Sequence, residues 1–470
     1  MRSKIPPKKS YGDEVRESVH GCPGRGGTFT VYALGCRVNQ EEMECLRSQL
    51  LAAGYKERPF GDPVDLTIIN TCTVTAAGDR DGRKLLRKAR RFSPQGRIVA
   101  TGCTAQRDPG ALDDLQVADL ILGNREKGNL ALYRGLLADP SPEGETTVPA
   151  TGILVDDDPS PQCFLTHAPG FSTARTRATL KIQDGCNGHC TYCIIPAVRG
   201  PSISRPWKEI LSEAGGLIAR GAREIVLTGI NTGSYGWEAR PGAETDLASL
   251  AERLAGLAGL ERIRLASVEP GYVTPRLLDL MTRMRSLCPH LHVPLQSGDD
   301  EILKRMGRPY RTGEFADLVR RIRAVTPRIT LGTDIIVGFP GETEDHFRRT
   351  LCFVKEQDFS YLHVFSYSPR PGTPAERLEG TVADGEKTRR SRLLRDLDSH
   401  LRRGHMALRK GSQDRILVES SHHGAGDGLT ADYLRVVLNE GAAGSGEMMD
   451  VVIGEPVDDH HVRGIIPHGM

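Results

Sequence analysis

Three thiols stand within eight residues of one another, at Cys186, Cys190 and Cys193, directly after an apolar, strand-like run. The segment reads Gly185-Cys186-Asn187-Gly188-His189-Cys190-Thr191-Tyr192-Cys193, a C-x3-C-x2-C spacing. Thiolates are soft ligands that suit zinc or iron–sulfur clusters. A closed zinc site takes four ligands, and no fourth Cys lies close by. A 4Fe–4S cluster is ordinarily held by four Cys, so three leave one iron open to a substrate or cofactor. A zinc loop and a set of merely buried thiols are the plainer alternatives; thiols at metal spacing speak against the second.

The 470 residues suggest several domains. Net charge is only +2, so a nucleic-acid partner is not demanded by charge and any binding surface must be local. Eleven Cys in so long a chain fit metal or redox chemistry in a reducing compartment better than a disulfide framework. No apolar run approaches the roughly 18 residues of a membrane helix, and no apolar signal region opens the chain, so a cytoplasmic protein is expected.

In chain order, residues 1–27 are polar and rich in Gly and Pro and read as a disordered extension carrying an incidental Cys22. Residues 28–135 alternate strand-like and helical patterns, the signature of a parallel α/β sheet. Three of those strands run into a loop with one Cys each: Gly35-Cys36, Thr71-Cys72 and Gly102-Cys103. Parallel strands present their carboxyl ends along one edge, so Cys36, Cys72 and Cys103 are expected to converge as a second three-Cys site. Each on its own would pass for a small buried residue. The helix after Cys72 carries Arg83, Lys84, Arg87, Lys88, Arg90 and Arg91, a grip for phosphates or simply a solvated face.

Residues 136–174 read as a linker with weak apolar periodicity. Residues 175–405 return to strand–helix alternation, with strands near 178–183, 223–228, 261–267, 290–295, 330–337 and 360–367, which predicts a partial (βα)6 barrel with its chemistry at the carboxyl ends. Residues 410–468 hold short strand-like runs, among them Leu429 to Leu438 read as one strand, and predict a small all-β barrel. Cys45, Cys288 and Cys352 sit in apolar contexts and read as core.

The three-Cys loop resembles that of the radical S-adenosylmethionine (SAM) superfamily. Nearly the whole chain after residue 28 is similar to that superfamily's methylthiotransferases. The resemblance rests on Leu34-Gly35-Cys36-Arg37-Val38-Asn39-Gln40, Asn70-Thr71-Cys72-Thr73-Val74-Thr75, Thr101-Gly102-Cys103-Thr104-Ala105-Gln106, Gln183-Asp184-Gly185-Cys186-Asn187 and Arg199-Gly200 to Ser204-Arg205. Within the family, Val38-Asn39-Gln40 and Thr73-Val74-Thr75 look most like the branch acting on threonylcarbamoyladenosine at position 37 of tRNA. The N-terminal extension and the long linker depart from the family pattern without touching a motif.

The resemblance implies two 4Fe–4S clusters. Cys186, Cys190 and Cys193 would hold the one that cleaves SAM. Cys36, Cys72 and Cys103 would hold an auxiliary one whose open iron carries sulfur. Tyr192, Gly229, Ser267, Glu269 and Gln296 would line the SAM pocket, and the C-terminal barrel would be a TRAM domain that binds RNA. It further implies tRNA, a sulfur donor and an electron donor such as flavodoxin or ferredoxin as partners, and no membrane. A radical suits the task, because the adenine C–H bond at carbon 2 offers no acidic proton to a side-chain base. Other substrates (isopentenyladenosine in tRNA, a ribosomal-protein aspartate) and a non-catalytic iron–sulfur RNA-binding protein are the competing readings. The role of Phe365 to Thr373, which resembles a family loop, stays undecided.

Overall fold

Six strands form the first sheet: β1 (Thr28–Ala33), β2 (Lys56–Glu57), β3 (Leu66–Thr71), β4 (Arg97–Gly102), β5 (Leu120–Leu122) and β6 (Gly152–Leu154). Their order is β2-β1-β3-β4-β5-β6, and every neighbouring pair is parallel. β3 is buried along its whole length, as a parallel strand covered by helices on both faces must be. Because β1, β3 and β4 run the same way, the loops that follow them leave from one edge. The computed structural model describes residues 26–137, 151–161, 163–170, 176–238, 246–422, 425–441 and 443–467. Nearly all of the extension read at 1–27, with Cys22, lies outside them.

The stretch read as a linker does more than connect. It supplies β6, and its residues near His167 form a strap between two helices. Gln49 Nε2 donates to the Thr166 carbonyl at 2.8 Å and the Ala168 amide to Ser48 Oγ at 2.8 Å, both on the helix Arg37–Ala52. On the other side, the His167 amide donates to Glu213 Oε1 at 2.7 Å, on the helix Trp207–Ala219. These are polar and backbone contacts, which leave no apolar period in the sequence.

The central region holds β7 (Arg177–Lys181), the short antiparallel pair β8 (Gln183–Asp184) and β9 (Ile203–Ser204), then β10 (Glu224–Thr228), β11 (Arg262–Leu265), β12 (His290–His292), β13 (Thr330–Val337) and β14 (Tyr361–Ser366). β10 pairs in parallel with β7 and β11, and β13 with β12 and β14. The Cys288 amide bonds to the Ile263 carbonyl and the Val268 amide to the His292 carbonyl, each at 2.9 Å, and join the two halves. The result is a six-stranded partial barrel in chain order. Strand residues alternate strictly. Leu180, Ile225, Ile263, Leu291, Ile335 and Leu362 belong to one core beneath the outer helices. Their neighbours Arg264, His290, His292, Asp334 and Tyr361 meet one another on the other, inner face.

The C-terminal strands β15 (Gln413–His422), β16 (Ala425–Thr430), β17 (Arg435–Leu438), β18 (Met448–Pro456) and β19 (His461–Ile465) close into a barrel. The run Leu429 to Leu438 is two strands rather than one. It breaks at a turn where Tyr433 adopts φ +74°, a left-handed conformation unusual for a bulky residue. That turn meets the amino end of the partial barrel: Arg264 donates to the carbonyls of Thr430 (3.1 Å) and Ala431 (2.9 Å), and Tyr433 stacks on His290 at 4.5 Å. Cys45 and Cys288 are buried as expected; Cys352 is exposed, on the outer side of the helix Glu344–Glu356, and is no core residue. No helix among the described residues is long and apolar enough to cross a membrane.

Candidate active site

Cys36 sits at the N-cap of the 16-residue helix Arg37–Ala52, where unsatisfied backbone N–H groups favour negative charge. Gly35 before it has φ +85°, and a Cβ there would stand 2.5 Å from Cys72 Sγ. The missing side chain is what lets the Cys72 thiol lie against the Cys36 loop. Cys103 begins the short helix Cys103–Arg107 and lies close enough to Cys36 and Cys72 to raise both thiols electrostatically. Burial, helped by that neighbour, pushes the Cys72 thiol up to about 12. The three strand-end cysteines are therefore brought together.

Cys186, Cys190 and Cys193 are likewise mutual neighbours, and burial pushes Cys193 up to about 12. Their loop is pinned from several sides. The Thr191 amide donates to the Met306 carbonyl (2.9 Å), the Ala375 amide to the Thr191 carbonyl (2.8 Å) and the Ser202 amide to Asn187 Oδ1 (2.9 Å). Gly185 has φ +67°, and a Cβ there would meet the Pro201 carbonyl oxygen at 1.9 Å. Gly185→Ala is expected to destabilise the chain by about 1–3 kcal/mol and to lower the iron taken up on anaerobic reconstitution. Gly215→Ala, at a helical position with nothing within 4 Å of an added Cβ, is the control, expected to gain up to about 1 kcal/mol and to leave iron content unchanged. Iron content and urea unfolding of the two variants check this.

Three properties of the donor sets bear on what they could hold. First, among the described residues only Glu41–Cys45–His167 and His292–Asp334–His363 have all donor atoms within 4.8 Å of one another. Neither cysteine triad is that tight, whereas one tetrahedral zinc with bonds of ~2.3 Å needs closely spaced sulfurs. A multi-iron cluster fits the wider spacing. Second, Thr73 Oγ1, Thr101 Oγ1 and Arg199 Nε around the first triad are buried without a hydrogen-bond partner, as is Asn231 Oδ1 beside the second. Buried polar atoms are rarely left so, and the donors among them suit inorganic sulfide. Third, thiols that burial keeps protonated become thiolates only against positive charge. Each triad has a buried arginine at hand: Arg199 acts on Cys36, Cys72 and Cys103, and Arg308 Nη1 donates to Cys190 Sγ at 3.1 Å.

Arg199 also joins the two α/β regions. Its Nη1 contacts Asp184 Oδ1 and Glu42 Oε1, both at 3.0 Å, and its Nη2 donates to Asn39 Oδ1 at 2.5 Å. Lys181 bridges Glu42 (2.7 Å) and Asp184 (2.5 Å), and Lys127 pairs with Glu42 at 2.5 Å. Cys103 packs on Ile194 and Val198, and Ile194 follows Cys193 directly. The triads thus open at one joint between the two α/β regions. Arg370, in the loop left undecided above, adds a second tie: its Nη1 donates to the Thr73 carbonyl (3.0 Å) and to Asp79 Oδ2 (2.6 Å). Ser368 Oγ accepts from the Ala76 amide at 3.0 Å.

The five residues expected around SAM are placed unevenly. Glu269 is ion-paired with Arg308 and acts electrostatically on Cys186 and Cys193. Tyr192 packs edge-on against Phe339 at 6.3 Å, inside the cysteine loop. Gly229 lies against Gln183, whose Oε1 accepts from the Asn231 amide, and Asn231 bonds to Cys186. Ser267 is exposed beyond β11, and Gln296 sits beyond β12 with φ +74°, bridged by its backbone to β13. Of the basic helix, Arg90 is spent internally on Asp119 at 2.6 Å, while Lys84, Arg87 and Arg91 are exposed with no acidic partner among the described residues. Sequence reasoning missed Glu42, Lys127, Lys181, Arg308 and Arg370. The one signal was a charged residue, Lys181, inside an apolar strand run.

Comparison with known proteins agrees with this geometry. The radical SAM superfamily model matches residues 180–354, and the model of uncharacterized protein family UPF0004 matches residues 28–123. The threonylcarbamoyladenosine tRNA methylthiotransferase MtaB of Bacillus subtilis is 36% identical over 87% of this chain and 90% of its own. That of Chlamydia pneumoniae is 38% identical over 84% and 87%. The tRNA-2-methylthio-N(6)-dimethylallyladenosine synthase of Sorangium cellulosum is 33% identical over 85% and 84%. Among solved structures, the radical SAM methyltransferase TsrM of Kitasatospora setae superposes with a TM-score of 0.53 over 75% of this chain and 77% of its own, at 16% identity, a likeness of fold alone.

Proposed function

This chain belongs to the radical SAM tRNA methylthiotransferase family, and on that premise we propose that it transfers a methylthio group to carbon 2 of threonylcarbamoyladenosine at position 37 of tRNA, beside the anticodon. The family implies a 4Fe–4S cluster and SAM. In this reading Cys186, Cys190 and Cys193 hold that cluster, and Cys36, Cys72 and Cys103 hold an auxiliary 4Fe–4S cluster. When bound, these groups supply the electron, the methyl group, the sulfur and the hydrogen-abstracting radical.

The chain's own residues bind and orient. Tyr192, Gly229, Ser267, Glu269 and Gln296 line the SAM pocket, with Glu269 as the carboxylate facing a cationic cofactor. Arg199 and Arg308 balance thiolate charge. The C-terminal barrel and the exposed Lys84, Arg87 and Arg91 hold the RNA through its phosphates. The target base leaves its stack to reach the site. A sulfur donor and a low-potential electron donor such as flavodoxin or ferredoxin complete the cycle in the cytoplasm.

The observation that carries the reading is the joint between the triads, where Cys103 packs on Ile194 next to Cys193. Hydrogen removal and sulfur addition occur at one carbon, so both sites must face one base at once. The relatives named for threonylcarbamoyladenosine favour that substrate. The test is the anaerobically reconstituted full chain with reductant, SAM and stem–loop RNA. Conversion of the threonylcarbamoyl substrate with formation of 5′-deoxyadenosine is expected. Preferential conversion of an isopentenyl substrate corrects the substrate, and no 5′-deoxyadenosine at all overturns the reading.

A further inference from the structure

The inner face of the partial barrel is polar and, along its outer half, open. His363 and Phe365 follow Tyr361 at two-residue spacing on β14, so all three share the inner face, and Tyr361 and His363 lie 5.2 Å apart. The His363 side chain is 48% exposed and Phe365 47%. His363 Nδ1 lies 3.3 Å from Asp334 Oδ1, and His292 Nε2 lies 2.8 Å from the same oxygen. Asp334 Oδ1 is thus held between two imidazoles.

Arg37 is different. It follows Cys36 directly, and its Nη2 donates to Tyr433 Oη at 3.0 Å. Tyr433 in turn stacks on His290, and Arg37 acts electrostatically on both His290 and Tyr361. Its guanidinium therefore reaches the barrel's inner face. No acidic group pairs with it among the described residues, whereas Arg264 and Arg177 on the same face are matched by Glu224 and Glu419. Burial pushes the Tyr433 phenol up, but Arg37, Arg177 and Arg264 outweigh it and bring it below its ordinary value, which reports a positive field at that spot. Phe365 adds an exposed aromatic ring on the same face, a surface on which a base can stack.

We propose that Arg37, with His363 and the ring of Phe365, forms a subsite that reads a carboxylate-bearing substituent on N6 of the target adenine. This rests on the proposed reading of the chain as acting on a tRNA adenosine. The subsite selects by charge. A carboxylate gains a charge-assisted, bidentate partner in Arg37. An apolar N6 group would cover the guanidinium and imidazole without satisfying them, and sites built for a polar group reject analogues that lack it strongly.

The test uses the full chain, anaerobically reconstituted, and measures binding by fluorescence anisotropy to four anticodon stem–loops. They carry unmodified adenosine, threonylcarbamoyladenosine, its carboxamide analogue and isopentenyladenosine at the target position. The native chain is expected to bind the carboxylate form most tightly, and Arg37→Gln to lose roughly thirtyfold on it while keeping its affinity for the unmodified stem–loop. His363→Gln guards against damage to the Cys36 loop, since it leaves that loop intact and is expected to lower affinity in the same selective way. Iron content of each variant shows whether the clusters are retained. An equal loss on the unmodified stem–loop makes Arg37 a general phosphate contact and overturns the proposal, as does equal binding of the carboxylate and carboxamide forms. If the native chain prefers the carboxylate form but both variants keep that preference, only the subsite is overturned. If it prefers none of the modified forms, the substrate reading falls with it.

Discussion

Cys190→Ala is expected to abolish 5′-deoxyadenosine formation, and Cys72→Ala to leave it largely intact while abolishing methylthio transfer. The asymmetry follows from the proposed reading, in which the two three-Cys sites have separate tasks. Removing one of three protein ligands leaves a cluster with two, and iron uptake should fall by about half in either variant. Cys190 also accepts from Arg308, which is paired with Glu269, so its loss disorganises the side of the loop where SAM is expected to sit. Cys72 instead faces Gly35 and Cys103 on the first sheet. Iron quantification, low-temperature EPR of the reduced proteins and chromatography of SAM cleavage products check both halves. Loss of SAM cleavage in both variants would mean that the two sites do not act independently.

Arg199→Ala is the second large effect, and it acts on stability as well as on the site. Arg199 is buried, and its removal takes donors from Glu42, Asp184 and Asn39, while Lys127, Lys181, Asn70 and the Gly185 amide remain as partners of the two carboxylates. Losing these charge-assisted bonds, and leaving Asn39 Oδ1 without its donor, costs about 1–3 kcal/mol, a sizeable part of a domain's net stability. Burial pushes Glu42 up, but Arg199, Lys127 and Lys181 outweigh it and hold its carboxyl well below the usual range; Asp184 is lowered in the same way by Arg199 and Lys181. A carboxyl lowered in the folded state contributes stability that is complete above its unfolded value of about 4 and is lost as pH falls through the depressed folded value. The native protein should therefore lose stability steeply on acidification below about pH 4, and Arg199→Ala should start lower and lose less over the same window. Urea unfolding across pH 3–7 measures both curves; parallel curves would show that Arg199 does not set those carboxyls.

How far this was legible in the sequence depends on how local each signal was. The Cys186–Cys193 site is written in eight consecutive residues, because a cluster dictates ligand spacing within one loop. Cys36, Cys72 and Cys103 were legible through topology, since parallel strands end along one edge. The strands β2, β5 and β6 were not, because two or three residues carry no period. The Arg199 network was hidden for a different reason. A buried charge looks in sequence like an exposed one, and Arg199 and Glu42 are 157 residues apart. The alternation His290-Leu291-His292, Arg262-Ile263-Arg264 and Tyr361-Leu362-His363 belongs to the polar inside of the barrel, but it was not legible as such, because each triplet alone looks like an ordinary half-buried strand. At Leu429 to Leu438 the apolar pattern continues through a turn that no Gly announces, so one strand was expected where Tyr433 divides two. Of the five residues expected at SAM, Ser267 and Gln296 lie at strand ends, as their positions implied.

The most direct test of the central claim is mass spectrometry of nucleosides from total tRNA, in cells with and without this gene. The account predicts that 2-methylthio-threonylcarbamoyladenosine disappears, that its unthiolated parent accumulates, and that the gene restores it while a Cys186→Ala copy does not. Loss of the isopentenyl methylthio nucleoside instead, or no change in either nucleoside, would contradict it.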